Sequence, residues 1–420
     1  MSVFRPPFCP NPSCVSHIDP LSSQSHSLSH TRWYKRNGTY PTKVRGPVQL
    51  FKCLHCGRGF STQTFSIDYY VKRSITYNRI ESEIISCSSI RAASRSIGCS
   101  CDSVSNRISR LARQSISLHA RVLQCIEACE NFVADGFESY AVSQYHPNNI
   151  HILVGASSQF VYHCDYITLR RSGRMRDVQK RIRQALESIY CPPPQALLHS
   201  FAELLHTLAD LLSRSHQEHT WLHTDKKREY RRALKQNEEL MIAQAHNRFS
   251  HQCTSSRAAR TAANPLFAVN YIDREFRKDL AEHVRETVRF ARNVNHSMER
   301  LWVYLMHHNF TKRYRINDPV GVERRHSTEA GVNEQAARWA QQKIWKMRRF
   351  VSFEQMNESM QRVWYRRHET PLRTAAKGLV RKIKAAAMKG PVDIEEVMKR
   401  MGITEMTVDR RQYLPKYALM

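Results

Sequence analysis

Nowhere in this 420-residue chain do about eighteen apolar residues follow one another, so no membrane-spanning helix is expected. The opening stretch, Met1 to Pro12, has no apolar core of the kind that directs secretion, and an intracellular protein is expected. Twelve cysteines are too few for a disulfide scaffold of this length. In a reducing compartment, closely spaced cysteine pairs read instead as metal ligands. Acids are the scarce charge: 37 Asp and Glu face 65 Lys and Arg, a formal net charge of +28. Such an excess points to a polyanionic partner, nucleic acid ahead of a membrane surface. There is no Gly-x-Ser-x-Gly elbow and no Walker loop, so serine-hydrolase and ATPase chemistry lack support. No internal repeat and no low-complexity run is found, and the length suggests two to four domains.

What is present begins with acids in an unusual setting. In Trp221-Leu222-His223-Thr224-Asp225 a short apolar run ends in a lone acid, and a basic helical pattern follows through Tyr230, Ala233 and Leu234. Asp135 ends a similar run, Phe132-Val133-Ala134, and is followed by Gly136. Asp273 follows Asn270-Tyr271-Ile272 at the mouth of a basic amphipathic segment. Taken alone, Asp225 also suits a helix N-cap. Three acids at element ends in a very basic chain fit a site where carboxylates bind two hard cations, which activate a nucleophile against a phosphodiester.

These residues resemble the motifs of DDE-type bacterial insertion-sequence transposases. Thr224-Asp225 with Tyr230 matches a Thr/Ser-Asp-x-x-x-x-Tyr strand end, and Asn270-Tyr271-Ile272-Asp273 matches an Asn-x-Ile/Val-Glu helix opening, with Asp in place of Glu. Glu275 and Glu299 are rivals for that third position. The resemblance implies an RNase H-like α/β catalytic domain over residues 126–310. In it Asp135, Asp225 and Asp273 would bind magnesium or manganese. It further implies cleavage and strand transfer of double-stranded DNA at transposon ends and target, by a homo-oligomer that pairs two ends in the cytoplasm, at the bacterial nucleoid. Arg285, Arg289 and Arg292, in a basic segment after the third acid, would hold the DNA backbone, unless they form a solvated helix face.

Residues 1–70 contain Cys9-x4-Cys14 and Cys53-x2-Cys56, two knuckles whose four thiolates suit tetrahedral zinc. His17 and His55 are nearby alternatives. Between the pairs, Trp33 to Tyr40 carries a turn flanked by aromatics, as a hairpin would. The transposase resemblance also leads to a zinc ribbon at this position.

Residues 71–125 read as helical. One helix ends at Gly98 and another runs from Ser103 to Leu111, which suits a helix-turn-helix. Asp102, Ser103, Ser105, Asn106 and Arg107 would then face the major groove, with Arg110 and Arg113 on phosphates. An ordinary three-helix bundle is the alternative. Cys99 and Cys101 are expected to pack in the turn, and Cys125 and Cys129 in the core.

Farther on, Asn149 to Ala156 and Phe160 to Leu169 read as strands, and Met175 to Ile189 and Gln195 to Ser213 as helices. Residues 246–263 are polar and basic and read as a loop near DNA. Met298 to Phe310 reads as a helix closing the core, where Glu299 is expected to pair with an arginine. Residues 311–420 form a basic helical C-terminal region. Its Trp339, Ile344, Trp345, Met347 and Phe350 interleave with cations, and it closes with a helix from Val392 to Met401. Nucleic-acid backbone binding, a partner helix and plain amphipathic helices all fit it. The expected whole is a multidomain α/β protein acting as a DNA transposase. A DNA-binding regulator without chemistry and a metal-dependent DNA nuclease are the rival readings.

Overall fold

The computed structural model describes residues 4–20, 32–255, 257–284, 290–319, 323–335, 337–338, 342, 346–371 and 378–403. It is a mixed α/β structure with two sheets.

The first sheet is an antiparallel ribbon of β1 (Tyr34–Thr42), β2 (Gly46–Cys53) and β3 (Gly59–Ser61) in that order. Asn37-Gly38 does not make the expected hairpin turn. The register shifts between Arg36 and Thr39, so the left-handed Gly38 sits in a bulge within β1, and the chain reverses only at residues 43–45. Phe8, Trp33, Phe51, Phe60 and Phe65 form the ribbon's small core.

Three helices follow: α1 (Tyr77–Ile85), α2 (Ile90–Ile97) and α3 (Cys101–Cys125). Ser89 caps α2 by accepting from the Ala92 amide, left-handed Gly98 ends it, and Ser100 caps α3 by accepting from the Ser103 amide. Helix α3 is 25 residues long, far past the expected stop at Leu111. Ala112, Ile116, Ala120 and Leu123 stay apolar at helical spacing, and the helix packs against a later one. Ile80, Ile108, Phe160 and Trp302 accordingly belong to one core, and packing is unbroken at residue 125. Cys125 and Cys129 are exposed rather than in the core, because Cys125 is the last residue of α3 and Cys129 lies beyond it.

The second sheet has the order β6-β5-β4-β7-β8. Strands β4 (Phe132–Tyr140), β5 (Pro147–Gly155) and β6 (Val161–Thr168) form an antiparallel meander. Helices α4 (Asp177–Glu187) and α5 (Ala196–Arg214) lead to β7 (Thr220–Thr224), which pairs parallel with β4. Such a parallel pairing needs a crossover, here supplied by the two helices. Helices α6 (Arg228–Gln236) and α7 (Glu238–Ala245) then bring in β8 (Phe249–Cys253), parallel to β7. This edge strand lies inside the stretch expected to be a loop. Phe249-Ser-His-Gln-Cys has one buried apolar residue, so its sequence carries little strand pattern.

Helix α8 (Phe267–Asp279) and helix α9 (Val294–Met306) pack on this assembly, and one π turn (His307–Thr311) follows. The described residues between them, His283, Val284 and 290–293, are not helical, contrary to the expected basic helix; Arg285 and Arg289 lie outside the described residues. One turn of helix, α10 (His326–Glu329), precedes the C-terminal helices α11 (Glu358–Trp364), α12 (Leu379–Lys389) and α13 (Ile394–Arg400). Leu379, Ile383 and Ala387 of α12 pack on Ile182 and Leu186 of α4. Residues 346–350 return to the ribbon: the Ile67 amide donates to Lys346 O, the Arg348 amide donates to Phe65 O, and Phe350 meets Phe8 edge-on at 4.9 Å. Trp339, Ile344 and Trp345 lie outside the described residues.

Candidate functional site

Cys9, Cys14 and Cys53 are buried and Cys56 is exposed, and the four sulfurs all lie within 4.8 Å of one another. Two hairpin-like turns bring them together. The Cys14 amide donates to Asn11 O, and the Gly57 amide donates to Cys53 O with Gly57 left-handed. Cys9 and Cys56 are 3.5 Å apart, and Cys14 and Cys53 are 3.7 Å apart. A tetrahedral ion with sulfur at about 2.3 Å would have edges near 3.8 Å, so four thiolates here fit zinc in number, chemistry and spacing. Burial pushes the Cys9 thiol well up. Burial also raises Cys56, but the Arg58 backbone, the Asn11 side chain and neighbouring thiols outweigh it and bring Cys56 down to about 7. The alternative ligands are engaged elsewhere: His17 bridges Cys9 O and Ser352 Oγ, and His55 Nδ1 is 2.6 Å from Ser16 Oγ.

The acids occupy the other site. Ala134 of β4 pairs with Thr224 of β7, so Asp135 and Asp225 stand one step further along two adjacent parallel strands. Asp225 is not the cap of α6. Lys227 holds that position, and Asp225 Oδ1 accepts the Lys227 amide at 3.0 Å, which shapes the turn. Asp135 Oδ1 accepts from its neighbour Gly136 N at 2.7 Å, from Tyr230 Oη at 3.2 Å and from Lys227 Nζ at 3.3 Å. Lys227 Nζ also lies 3.7 Å from Asp225 Oδ2. Burial works against the Lys227 charge, but Asp135 and Asp225 outweigh it and raise its pKa. Burial, then the Asp135 charge, raises Asp225.

Asp273 lies in the second turn of α8, a helix fixed by buried Ile272 and Phe276. The residue keeps some exposure, but its Oδ1 is buried and has no hydrogen-bond partner. Burial, then Asp135, pushes its carboxyl up to about 7 against the pull of Arg277, Arg260 and Lys227. Asp135 therefore acts electrostatically on both other acids. The rivals are committed elsewhere: buried Glu275 pairs with Lys278 at 3.0 Å and with Lys312, while Glu299 pairs with Arg366 at 2.6 Å, the arginine partner expected of it. Among the described residues, the only set of three or more ligand groups within 4.8 Å is the four thiols, so the three carboxylates stand wider apart.

The three arginines of α3 expected on DNA reach backbone carbonyls of this chain instead. Arg107 is 5% exposed and donates to Arg73 O; Arg110 donates to Ile67 O and Tyr69 O and stacks on Tyr69 at 4.0 Å; Arg113 reaches Trp364 O. The packing of α3 buries Arg107 and leaves Arg110 and Arg113 half-buried. Asp102 and Asn106 remain exposed, with Ser103 and Ser105 half-buried, and Arg292 is exposed. The reading of the sequence missed Lys227, Arg260 and Arg277. Their proximity to the acids depends on tertiary placement, though Lys227 two residues after Asp225 was a local signal. No family model matches the chain, and no curated protein matches it in sequence.

Proposed function

We propose that this chain is a DNA transposase of the DDE type, with Asp135, Asp225 and Asp273 as its carboxylates. The observation that carries the reading is their convergence. Asp135 and Asp225 stand side by side, one residue past the Ala134–Thr224 pair of two parallel neighbours, and burial followed by the Asp135 charge pushes up both other acids. The order β6-β5-β4-β7-β8, an antiparallel meander continued by two parallel strands, is what an RNase H-like domain would require, and it supports that fold assignment. The charge of +28 suits a DNA partner, and the exposed side of α3 (Asp102 and Asn106, with Ser103 and Ser105) remains the groove-facing set of the proposal.

Magnesium or manganese bound by the three aspartates would supply charge neutralisation and an activated oxygen nucleophile. The protein's own part is to place the carboxylates on rigid elements and to keep them in balance. Lys227 compensates Asp135 and Asp225 and would have to yield its place to a divalent cation held by them. Asp273 must release its proton before it can ligate. Tyr230 fixes the Asp135 rotamer through its hydroxyl. The ribbon and the α2–α3 unit would select the DNA end, and a multimer would pair two ends.

The test is cleavage of supercoiled plasmid carrying the element's ends, with magnesium, by the full chain and by Asp225→Asn and Asp273→Asn. Metal-dependent cutting lost in both variants supports the three-aspartate site. Cutting that survives Asp273→Asn removes that residue from the site. A wild type that binds its ends without cutting favours the regulator reading, and cutting without joining favours the nuclease.

A further inference from the structure

Beside Asp273 lies a pocket of about 330 Å³, large enough for a single nucleotide. Its lining has four kinds of chemistry: cationic, anionic, aromatic and amide. Arg260, Arg274 and Arg277 bring three guanidinium groups, and Asp273 is the one carboxylate that lines it. Arg260 is exposed and makes no ion pair among the described residues. Arg277 is anchored, donating to Glu138 O at 3.2 Å with its guanidinium 4.6 Å over Phe137. Arg274 is exposed and lies over Tyr271 at 5.2 Å. Phe267, half-buried at the start of α8, has no ring partner among the described residues, and the Asn270 side chain has no hydrogen bond there. The buried Asp273 Oδ1 also lacks a partner.

An apolar ligand would leave these polar groups unmatched, and inorganic phosphate alone would leave Phe267 and Asn270 unused. A nucleotide satisfies the guanidinium, phenyl and amide groups: the phosphate takes the guanidinium groups, the base takes the phenyl face, and a base edge takes the amide. A base paired within a duplex cannot enter a recess in a protein surface, whereas an unpaired one can.

We propose that this pocket seats one unpaired nucleotide of a DNA strand, its phosphate on Arg260 and Arg277 and its base against Phe267. This rests on the reading of the neighbouring acids as a DNA-processing site and names which part of the substrate lies beside the third of them. The pocket would hold the strand next to the bond to be cut, so the geometry of the end becomes part of recognition.

The test is binding by the full chain, in buffer without added divalent cation, by fluorescence anisotropy. One probe is a short duplex with a single unpaired thymidine at a 3′ end, and the other has an abasic residue in its place. The wild type should hold the thymidine probe about tenfold more tightly. Phe267→Leu, which keeps apolar bulk but removes the ring, should bring the two probes to within about twofold. Arg260→Gln, at an exposed position, should weaken both probes together and reduce the dependence on salt. Equal binding of the two probes by the wild type, or a preference that survives Phe267→Leu, overturns the proposal. Because no metal is used, a base preference without plasmid cutting would sink the catalytic reading alone, and cutting without a base preference would sink this inference alone.

Discussion

The Lys227 ammonium lies 3.3 Å from the Asp135 carboxylate, placed by the turn that Asp225 itself shapes. One cation thus serves two acids on adjacent parallel strands. Lys227→Gln removes it and leaves Asp135 and Asp225 facing each other. The groups are partly buried, so without divalent cation the loss should be about 1–2 kcal/mol, between the exposed and fully buried limits. Urea unfolding measures this. Manganese binding should tighten in the same variant because no ammonium has to leave; unchanged affinity would show that Lys227 does not compete with metal.

The four sulfurs should hold one zinc per chain. Cys53→Ser replaces a buried thiolate with a weak ligand, and zinc content after dialysis should fall to near zero. Limited proteolysis should then cut between residues 34 and 61, where the intact ribbon resists. His17→Ala should leave zinc content unchanged, since that ring is spent on Cys9 O and Ser352.

Asp273 should make metal binding depend on pH. Its carboxyl is held up to about 7, so the proton competes with metal below that point. Manganese affinity should rise from pH 6 to pH 7 and flatten above about 7.5. Asp273→Asn should flatten the whole profile. A slope that persists in that variant would assign the proton to another group.

Acid should destabilise the fold before any carboxylate is expected to do so. Burial lowers His119, His283 and His368 to about 4. Their folded values lie below the unfolded 6.5, so the unfolded chain binds the extra protons. Stability contributed by these rings is present above about 6.5 and is lost as pH falls towards 4. Each can account for up to roughly 3 kcal/mol at the acid end. Asp273 and Asp225, both raised, work the other way, but burial lowers His146, His163 and His326 as well as these three rings. Urea unfolding at pH 7.5 and 5.5 should show lower stability at 5.5, and His119→Gln should reduce that difference.

Much of this architecture was legible in the chain. The runs around Asp135, Asn149 and Val161 alternate or bury as strands should, and Ser89, Gly98 and Ser100 punctuate α2 and α3 through capping chemistry that acts within a few residues. Cysteine spacing alone brought the four thiols together. Three things were not legible. Strand β8 has one apolar residue and exists because β7 offers it a parallel edge. The length of α3 depends on a face met far along the chain, at α9. Arg107 and Arg110 look like DNA contacts by residue type, but the carbonyls of Arg73, Ile67 and Tyr69 claim them. Each of these outcomes is decided by a partner distant in sequence, which local pattern cannot carry.

The return of Phe350 to Phe8 has a consequence for the order of assembly. The ribbon's metal ligands and strands are complete by residue 61, yet its aromatic core is filled only by a residue synthesised nearly three hundred positions later. During synthesis Phe8 and Phe65 can pack on each other, and Phe65 on Phe60, but their contact with Phe350 must wait until the whole central sheet is made. A nascent chain halted before Phe350 would therefore carry the ribbon with one aromatic of its core still missing.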